Sequence, residues 1–135
     1  MEYFTDAFGY FDPQGDPRVA AKFAINCLLM DERFNELACL LTDGHETGAI
    51  EGEPGWIIER RDTGASSDMP GYADWPAWAN FRVYVDENSF DLAHPELYLS
   101  TQEFHGYVRK AIDAYLVRNS SRISMGNTII EKLTR

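Results

Sequence analysis

The hydrophobic pattern first predicts a helix over about residues 17–30, where nearly every position is apolar. Asp16 is placed to cap this helix, and Pro17 occupies the first helical position, where the missing N–H has no partner to lose. A helix that is polar only along one narrow stripe must be covered on almost all sides, so we expect it at the centre of the core. That stripe consists of Arg18, Lys22 and Asn26.

The clearest amphipathic helix is predicted from about residue 101 to residue 118. Ser100 and Glu103 have the spacing of a capping box, and apolar residues then recur at intervals of three and four. His105 falls on the polar side of this pattern, so we expect it to be exposed. The tail after this helix, 122–135, has apolar positions that suit either a strand or a helical turn.

Other segments have weaker or shorter patterns. The three-and-four spacing over 31–42 predicts a second, short helix or a continuation of the first. Residues 43–54 are acidic and rich in glycine and are interpreted as a loop or an edge strand. The first dozen residues alternate aromatic side chains with small or acidic ones, which indicates a half-buried strand or an extended segment.

Alternation with a period of two predicts strands in the second half of the chain. Residues 79–87 place apolar and polar side chains on opposite faces, and 55–60 and 96–99 have strand composition. We therefore predict one α+β domain over 1–135, with a small antiparallel sheet packed against two main helices, at about 17–30 and 101–118. The apolar face of the clearest strand is Phe81, Val83 and Val85.

The composition fits a single domain of the cytoplasm. A chain of 135 residues with 44% hydrophobic positions can bury a core without disulfides or metals. Cys27 and Cys39 lie among apolar residues, where free cysteine behaves as a small hydrophobic side chain, and no disulfide framework is indicated. The N-terminus lacks the features of a signal peptide, and no apolar run has the length of a membrane span, so we predict a cytoplasmic location.

The chain is strongly acidic, and the charge is uneven. Twenty-two acidic and twelve basic residues give a formal charge of −10, with −13 in residues 1–99 and +3 in residues 100–135. Such a field repels nucleic acid and anionic membranes and attracts cationic proteins. Net charge also keeps many proteins soluble without any further role, so charge alone does not define a partner.

A candidate protein-binding surface is indicated where aromatic and acidic residues are mixed, above all in the long loop over 62–80. Tryptophan and tyrosine bury a large area with few rotatable bonds, and the surrounding carboxylates are suited to lysines and arginines of a partner. In the alternative interpretation, Trp75 and Trp78 fold back over the sheet as a lid on the core. The predicted contact residues are Glu46, Glu51, Glu53, Asp62, Asp68, Tyr72, Asp74, Trp75, Trp78, Asp86 and Glu87.

No residue pattern indicates catalysis, so we predict that the protein is not an enzyme and has no cofactor. His45, His94 and His105 lack a second ligand at the spacing of a metal motif, and no nucleophile elbow or phosphate-binding loop occurs. Cys27 lies inside an apolar helix, where its thiol should stay protonated and inaccessible. A small enzyme or ligand-binding domain would instead need a deep pocket, for example around Cys27 or His45.

Several short sequence segments resemble those of the small immunity proteins that protect bacteria from their own polymorphic or contact-dependent growth-inhibition toxins. These are Tyr10–Pro13, Val83–Glu87, Pro95–Ser100 with the following Glu103 and Phe104, and Ala111–Leu116. The resemblance implies a cytosolic, acidic protein without catalytic residues that binds one toxin domain, often a basic nuclease. It names no contact residue. The alternative is an acidic DNA-mimic or adaptor protein that inhibits a nucleic-acid-binding protein.

Overall fold

Five α-helices and four strands form the part of the chain that the computed structural model describes, residues 3–53, 55–63 and 72–133. The strands are β1 (Ala49–Gly52), β2 (Trp56–Arg60), β3 (Phe81–Val85) and β4 (Glu96–Leu99). The helices are α1 (Phe4–Phe8), α2 (Val19–Met30), α3 (Phe34–Leu40), α4 (Thr101–Arg118) and α5 (Ile123–Ile130), with a 3-10 turn at Ser120–Arg122.

The strands form one antiparallel sheet in the order β1-β2-β3-β4, which confirms the predicted α+β fold. β2 and β3 are central, and Ile58 pairs with Val83. Every second side chain on these two strands is buried, as expected where one face of a sheet meets helices. α2 and α4 pack on this inner face, whose buried apolar residues are Ile50, Trp56, Ile58, Phe81, Val83, Val85 and Leu99.

α2 lies in the core, as predicted from its narrow polar stripe. Its start is two residues later than predicted, because Asp16 does not cap it. The Asp16 carboxylate instead accepts hydrogen bonds from the backbone N–H of Arg18 at 2.9 Å and from Nζ of Lys22 at 2.7 Å. Asn26, the last residue of the stripe, is buried, and its Oδ1 accepts the N–H of Tyr3 at 3.2 Å.

α4 confirms the prediction over 101–118, including its capping box. The N–H of Glu103 donates to Oγ of Ser100 at 3.1 Å, and the N–H of Ser100 donates to Oε1 of Glu103 at 3.2 Å. The prediction for His105 is wrong, because this side chain is only 5% exposed. The ring centre of His105 lies 6.2 Å from that of Phe81 in β3, so the covered surface of α4 is wider than its apolar stripe and includes His105.

Local patterns were ambiguous at both ends and between the first two helices. The extended N-terminal segment was predicted wrongly: α1 forms there because Phe4 and Phe8, four residues apart, pack with ring centroids 5.4 Å apart. The acidic segment supplies edge strand β1, and the tail forms α5. α3 is separate from α2 because Glu32 adopts a φ of 53°, outside helical geometry.

One buried arginine, Arg60 at the end of β2, joins the sheet to the segment before β1. Its side chain is almost fully buried, and its guanidinium donates to four backbone carbonyls. Nε also donates to Oδ1 of Asp62 at 2.6 Å, so the buried charge is paired and hydrogen-bonded. The carbonyls belong to Cys39, Leu40, His45 and Thr47, at 2.6–3.1 Å.

We expect Arg60→Met to lower the free energy of unfolding by about 3–5 kcal/mol, because one buried and three part-buried carbonyls and one partly exposed carboxylate lose their partner. Urea unfolding followed by circular dichroism measures this loss. Arg109→Met is the control, since the one ion pair of Arg109 among the described residues is an exposed pair with Asp113, and should cost less than about 1 kcal/mol. Equal losses in the two variants would show that Arg60 is not a central support.

Candidate functional site

The second face of the sheet, here called the outer face, lies opposite the two main helices. Its side chains form two rows across the strands, and those on the central strands are all partly exposed. An open sheet face of this kind usually carries polar residues, yet this one mixes acids with aromatic and aliphatic side chains. The rows are Ala49, Glu59, Arg82 and Tyr98, and Glu51, Ile57, Tyr84 and Glu96.

Arg82 is the one basic residue in these two rows, and it is held at their centre by two glutamates. Its Nη1 contacts Oε1 of Glu59 at 2.5 Å, and its Nε donates to Oε2 of Glu96 at 2.9 Å. The guanidinium also lies 5.5 Å from the centre of the Tyr84 ring. Arg82 therefore fixes the orientation of its neighbours and balances only part of the acidic charge.

Trp75 covers one end of the outer face. Its ring packs on Tyr98 and Tyr72, with centroid distances of 5.5 and 5.2 Å, and the guanidinium of buried Arg61 lies 5.8 Å from the Trp75 ring centre. Trp78, by contrast, is 57% exposed. The structure thus separates the two tryptophans that were treated alike: Trp75 is partly buried against the sheet, and Trp78 faces solvent.

The opposite end of the outer face contains a depression of about 520 Å³, here called the acid pocket. Ile57 and Tyr84 of the outer face line it, and the carboxylates of Glu51, Glu53 and Asp86 surround it. Within residues 3–53, 55–63 and 72–133, none of these three carboxylates forms an ion pair. Arg33 lies nearby, where it pairs with Glu36 and donates to the carbonyl of Glu51 at 2.6 Å. The pocket therefore combines an excess of carboxylates with an apolar and aromatic surface.

Gly55 brings the two acidic turns of this pocket together. Its φ is +101°, and a side chain Cβ there would lie 2.5 Å from Oγ of Ser89 and 3.2 Å from Cβ of Asp86. The N–H of Gly55 closes the β1–β2 turn on the carbonyl of Gly52 at 2.9 Å, and its carbonyl accepts the N–H of Asp86 at 2.7 Å. Only glycine combines this backbone geometry with so close an approach.

The remaining predicted contact residues are not all near this pocket. Asp62 is bound by Arg60 and by the N–H of Gly44 at 2.8 Å. Burial alone would raise the pKa of Asp62, but these hydrogen bonds outweigh it and lower the pKa below its ordinary value. Asp68 lies outside the described residues. The exposed ones are Glu46 before β1, Asp74 beside Trp75 and Glu87 after β3.

Ile57 and Tyr84 were missed as candidate residues. The alternation in 79–87 placed Tyr84 on the polar side of its strand, and this was the sequence signal that could have identified it as a surface residue.

The acidic side chains do not all gather on the outer face. In the part of the chain that the structure describes, nine carboxylates are in ion pairs, and Asp31 and Asp91, away from the sheet, form none.

Metal binding, a membrane-spanning helix and a reactive Cys27 thiol find little support in the described residues. No group of three or more histidines, cysteines or acids there could hold a metal ion, and no described helix is long and apolar enough to cross a membrane. Burial, with a smaller contribution from Asp31, raises the pKa of Cys27 to about 11, so its thiol stays protonated at neutral pH.

The fold and surface define a small α+β domain with an open, acidic and aromatic sheet face. A scan against protein-family models, a search of curated proteins and a search of solved structures each returned no match for this chain. What the protein binds must therefore be inferred from the chemistry of its own surface.

We expect Gly55→Ala to lower the free energy of unfolding by about 1–3 kcal/mol and to disturb the acid pocket, because the new methyl group meets Ser89 in a strained backbone conformation. Thermal unfolding measures the loss. Gly106→Ala is the matched control: an added Cβ meets nothing within 4 Å there, and alanine is the better helix former. Equal stability of the two variants would contradict the role of Gly55.

The lowered pKa of Asp62 predicts a pH dependence of stability. The contribution of its ionised form is fully present above the ordinary value of 3.8 and is lost as the pH falls through the folded value. Asp62→Asn should therefore be less stable than the original protein at pH 7, and the difference should shrink as the pH falls below 3.8. Unfolding at a series of pH values measures it, with exposed Asp74→Asn as the control. A difference that stays constant with pH would contradict this account.

Proposed function

We propose that this protein binds and neutralises a cationic protein through its outer face, as an immunity protein of the cytoplasm does for a bacterial toxin domain. The acid pocket is the observation that carries the proposal. It places three carboxylates without ionic partners among the described residues beside exposed aromatic and aliphatic surface. Buried anchors together with complementary charge are the features of a tight protein interface.

Charge supports a cationic partner of this kind. The two rows and the acid pocket carry five carboxylates, and Arg82 is the one guanidinium in the rows, so these six residues have a formal charge of −4. Two nearby guanidiniums already have partners: Arg33 pairs with Glu36, and Arg61 donates to the carbonyl of Ala77. A nuclease toxin must attract phosphates with a positive groove, and an acidic inhibitor can occupy that groove in place of the substrate. The carboxylates are those of Glu51, Glu53, Glu59, Asp86 and Glu96.

Aromatic residues supply the anchors that charge alone lacks. Trp78 is exposed and next in sequence to a segment that Arg61 holds, since Arg61 donates to the carbonyl of Ala77 at 2.7 Å. The Tyr84 ring is held by Arg82. Neither of these two aromatic side chains therefore has to be ordered from a fully flexible state when a partner binds. Such preorganised aromatic residues are typical hot spots.

The resemblance of several short sequence segments to immunity proteins favours a toxin domain as the partner. The surface chemistry alone fits any basic protein. In this proposal the protein blocks the active site of the toxin and performs no catalysis itself. A DNA-mimic inhibitor would use the same charges against a nucleic-acid-binding protein. The identity of the bound protein distinguishes the two, and a toxin domain encoded beside the gene favours the first.

The test is neutralisation of the toxin domain encoded by the neighbouring gene. We expect co-expression to restore growth, and calorimetry with an inactive toxin variant to show an affinity that weakens as salt rises. Replacing Glu51→Gln, Glu53→Gln and Asp86→Asn together should weaken binding at least about a hundredfold. The matched control changes three carboxylates elsewhere, Asp31→Asn, Asp91→Asn and Glu131→Gln. Equal effects of the two triple variants, or no binding, would overturn the proposal.

The anchor residues provide a second, separate prediction. Trp78→Ala should weaken binding to the toxin domain more than any single replacement of a rim carboxylate, because a desolvated aromatic side chain contributes more than a rim charge. Because Trp78 is 57% exposed, its removal should leave the free energy of unfolding within about 0.5 kcal/mol. A variant with unchanged affinity would remove Trp78 from the interface.

A further inference from the structure

A second cavity, of about 720 Å³, lies between α4 and the end of α5 with the residues that follow it. It is remote in sequence from the acid pocket, because its described lining comes entirely from residues 102–133. Its size falls within the range of sites for small organic ligands. One wall contains Gly106, Arg109 and Lys110 of α4, and the other contains Ile130 and Leu133.

The packing of the described residues does not require glycine at position 106. Gly106 lies inside an 18-residue helix, is exposed, and its added Cβ would meet nothing within 4 Å. A glycine at such a position weakens a helix relative to alanine. Gly126 shows the contrast, since a Cβ there would lie 2.6 Å from the side chain of Leu116. Gly106 instead leaves open space in the wall of the cavity, which lets a ligand reach the helix backbone.

The cavity walls combine cationic and apolar chemistry in a protein whose formal charge is −10. Lys110 forms no ion pair within the described residues, and Arg109 contacts Asp113 only at 3.3 Å, with both side chains exposed. One carboxylate, that of Glu131, also lines the cavity, so its charged lining is formally +1, while Asp113 lies outside the lining and pairs with Arg109. These cations offset the overall field that repels anions, while Ile130 and Leu133 offer a surface for an apolar chain.

We propose that this cavity binds a small amphipathic carboxylate, with its apolar chain over Gly106 and its carboxylate beside Arg109 and Lys110. Charge-assisted hydrogen bonds from arginine and lysine to a carboxylate are among the stronger polar contacts in proteins. The apolar chain is covered by Ile130 and Leu133 on the opposite wall. This site does not depend on the proposed toxin partner, since the acid pocket contributes none of its residues.

The test uses octanoate as the probe and nitrogen-15 NMR of the intact protein as the readout. We expect octanoate to shift the amide signals of Gly106, Lys110 and Leu133, and to bind at least about tenfold more tightly than uncharged octanol because of the charged hydrogen bonds. Lys110→Gln should weaken octanoate about tenfold. Lys132→Gln is the matched control, because Lys132 donates to Oγ1 of Thr42 and does not line the cavity.

Gly106→Leu separates a loss of binding from a loss of folding. We expect this variant to be at least as stable to heat as the original protein, because leucine is the better helix former and its Cβ would meet nothing within 4 Å. It should nevertheless lose octanoate binding, because the new side chain fills the cavity. Unchanged octanoate binding by Gly106→Leu, equal binding of octanoate and octanol, or shifts located elsewhere would each overturn the proposal.

Discussion

The buried guanidinium of Arg60 is the interaction on which the rest of the structure depends. It reaches from the inner face of β2 to the last carbonyls of α3 and to the loop before β1. Asp62 balances its charge. A buried arginine is tolerated only when its hydrogen bonds are satisfied, so these contacts specify one position for the connection between α3 and β1. The edge strand, and with it Glu51, follows from that position.

Two further arginines, Arg61 directly after β2 and Arg82 in β3, extend this arrangement to the outer face. Arg61 lies beneath Trp75 and fixes one end of the face, and Arg82 binds two glutamates at its centre. Three of the cationic side chains are thus used internally, and the acids at the far end have no such partners among the described residues. The resulting polarity, with aromatic cover at one end and free carboxylates at the other, is what suits the face to a cationic protein.

The elements that local chemistry specifies could be predicted from the sequence. α4 has a capping box and a regular apolar stripe, and its predicted bounds agree with the structure. The N-terminal helix was missed because Phe4 and Phe8 fit both a helical and an extended pattern over so short a segment. His105 was misplaced because its ring lies beside Phe81 of β3, which is distant in sequence from the pattern that described α4.

The candidate site was predicted only in part, for a similar reason. Glu51, Glu53 and Asp86 were among the expected contact residues, but they meet only because β1 pairs with β2 and Gly55 allows the turns to approach. Whether Ile57 and Tyr84 face solvent depends on which side of the sheet the helices cover, and composition does not contain that information. The loop acids were predicted as a group, whereas Asp62 turns out to pair with Arg60.

The most direct test of the central claim is amide hydrogen exchange of the protein alone and in complex with its cationic partner. The account predicts added protection in the two turns around the acid pocket, residues 52–57 and 84–90, and little change in α4 and α5. Protection confined to α4 and α5, with exchange of both turns unchanged, would contradict the claim that the outer face is the binding surface.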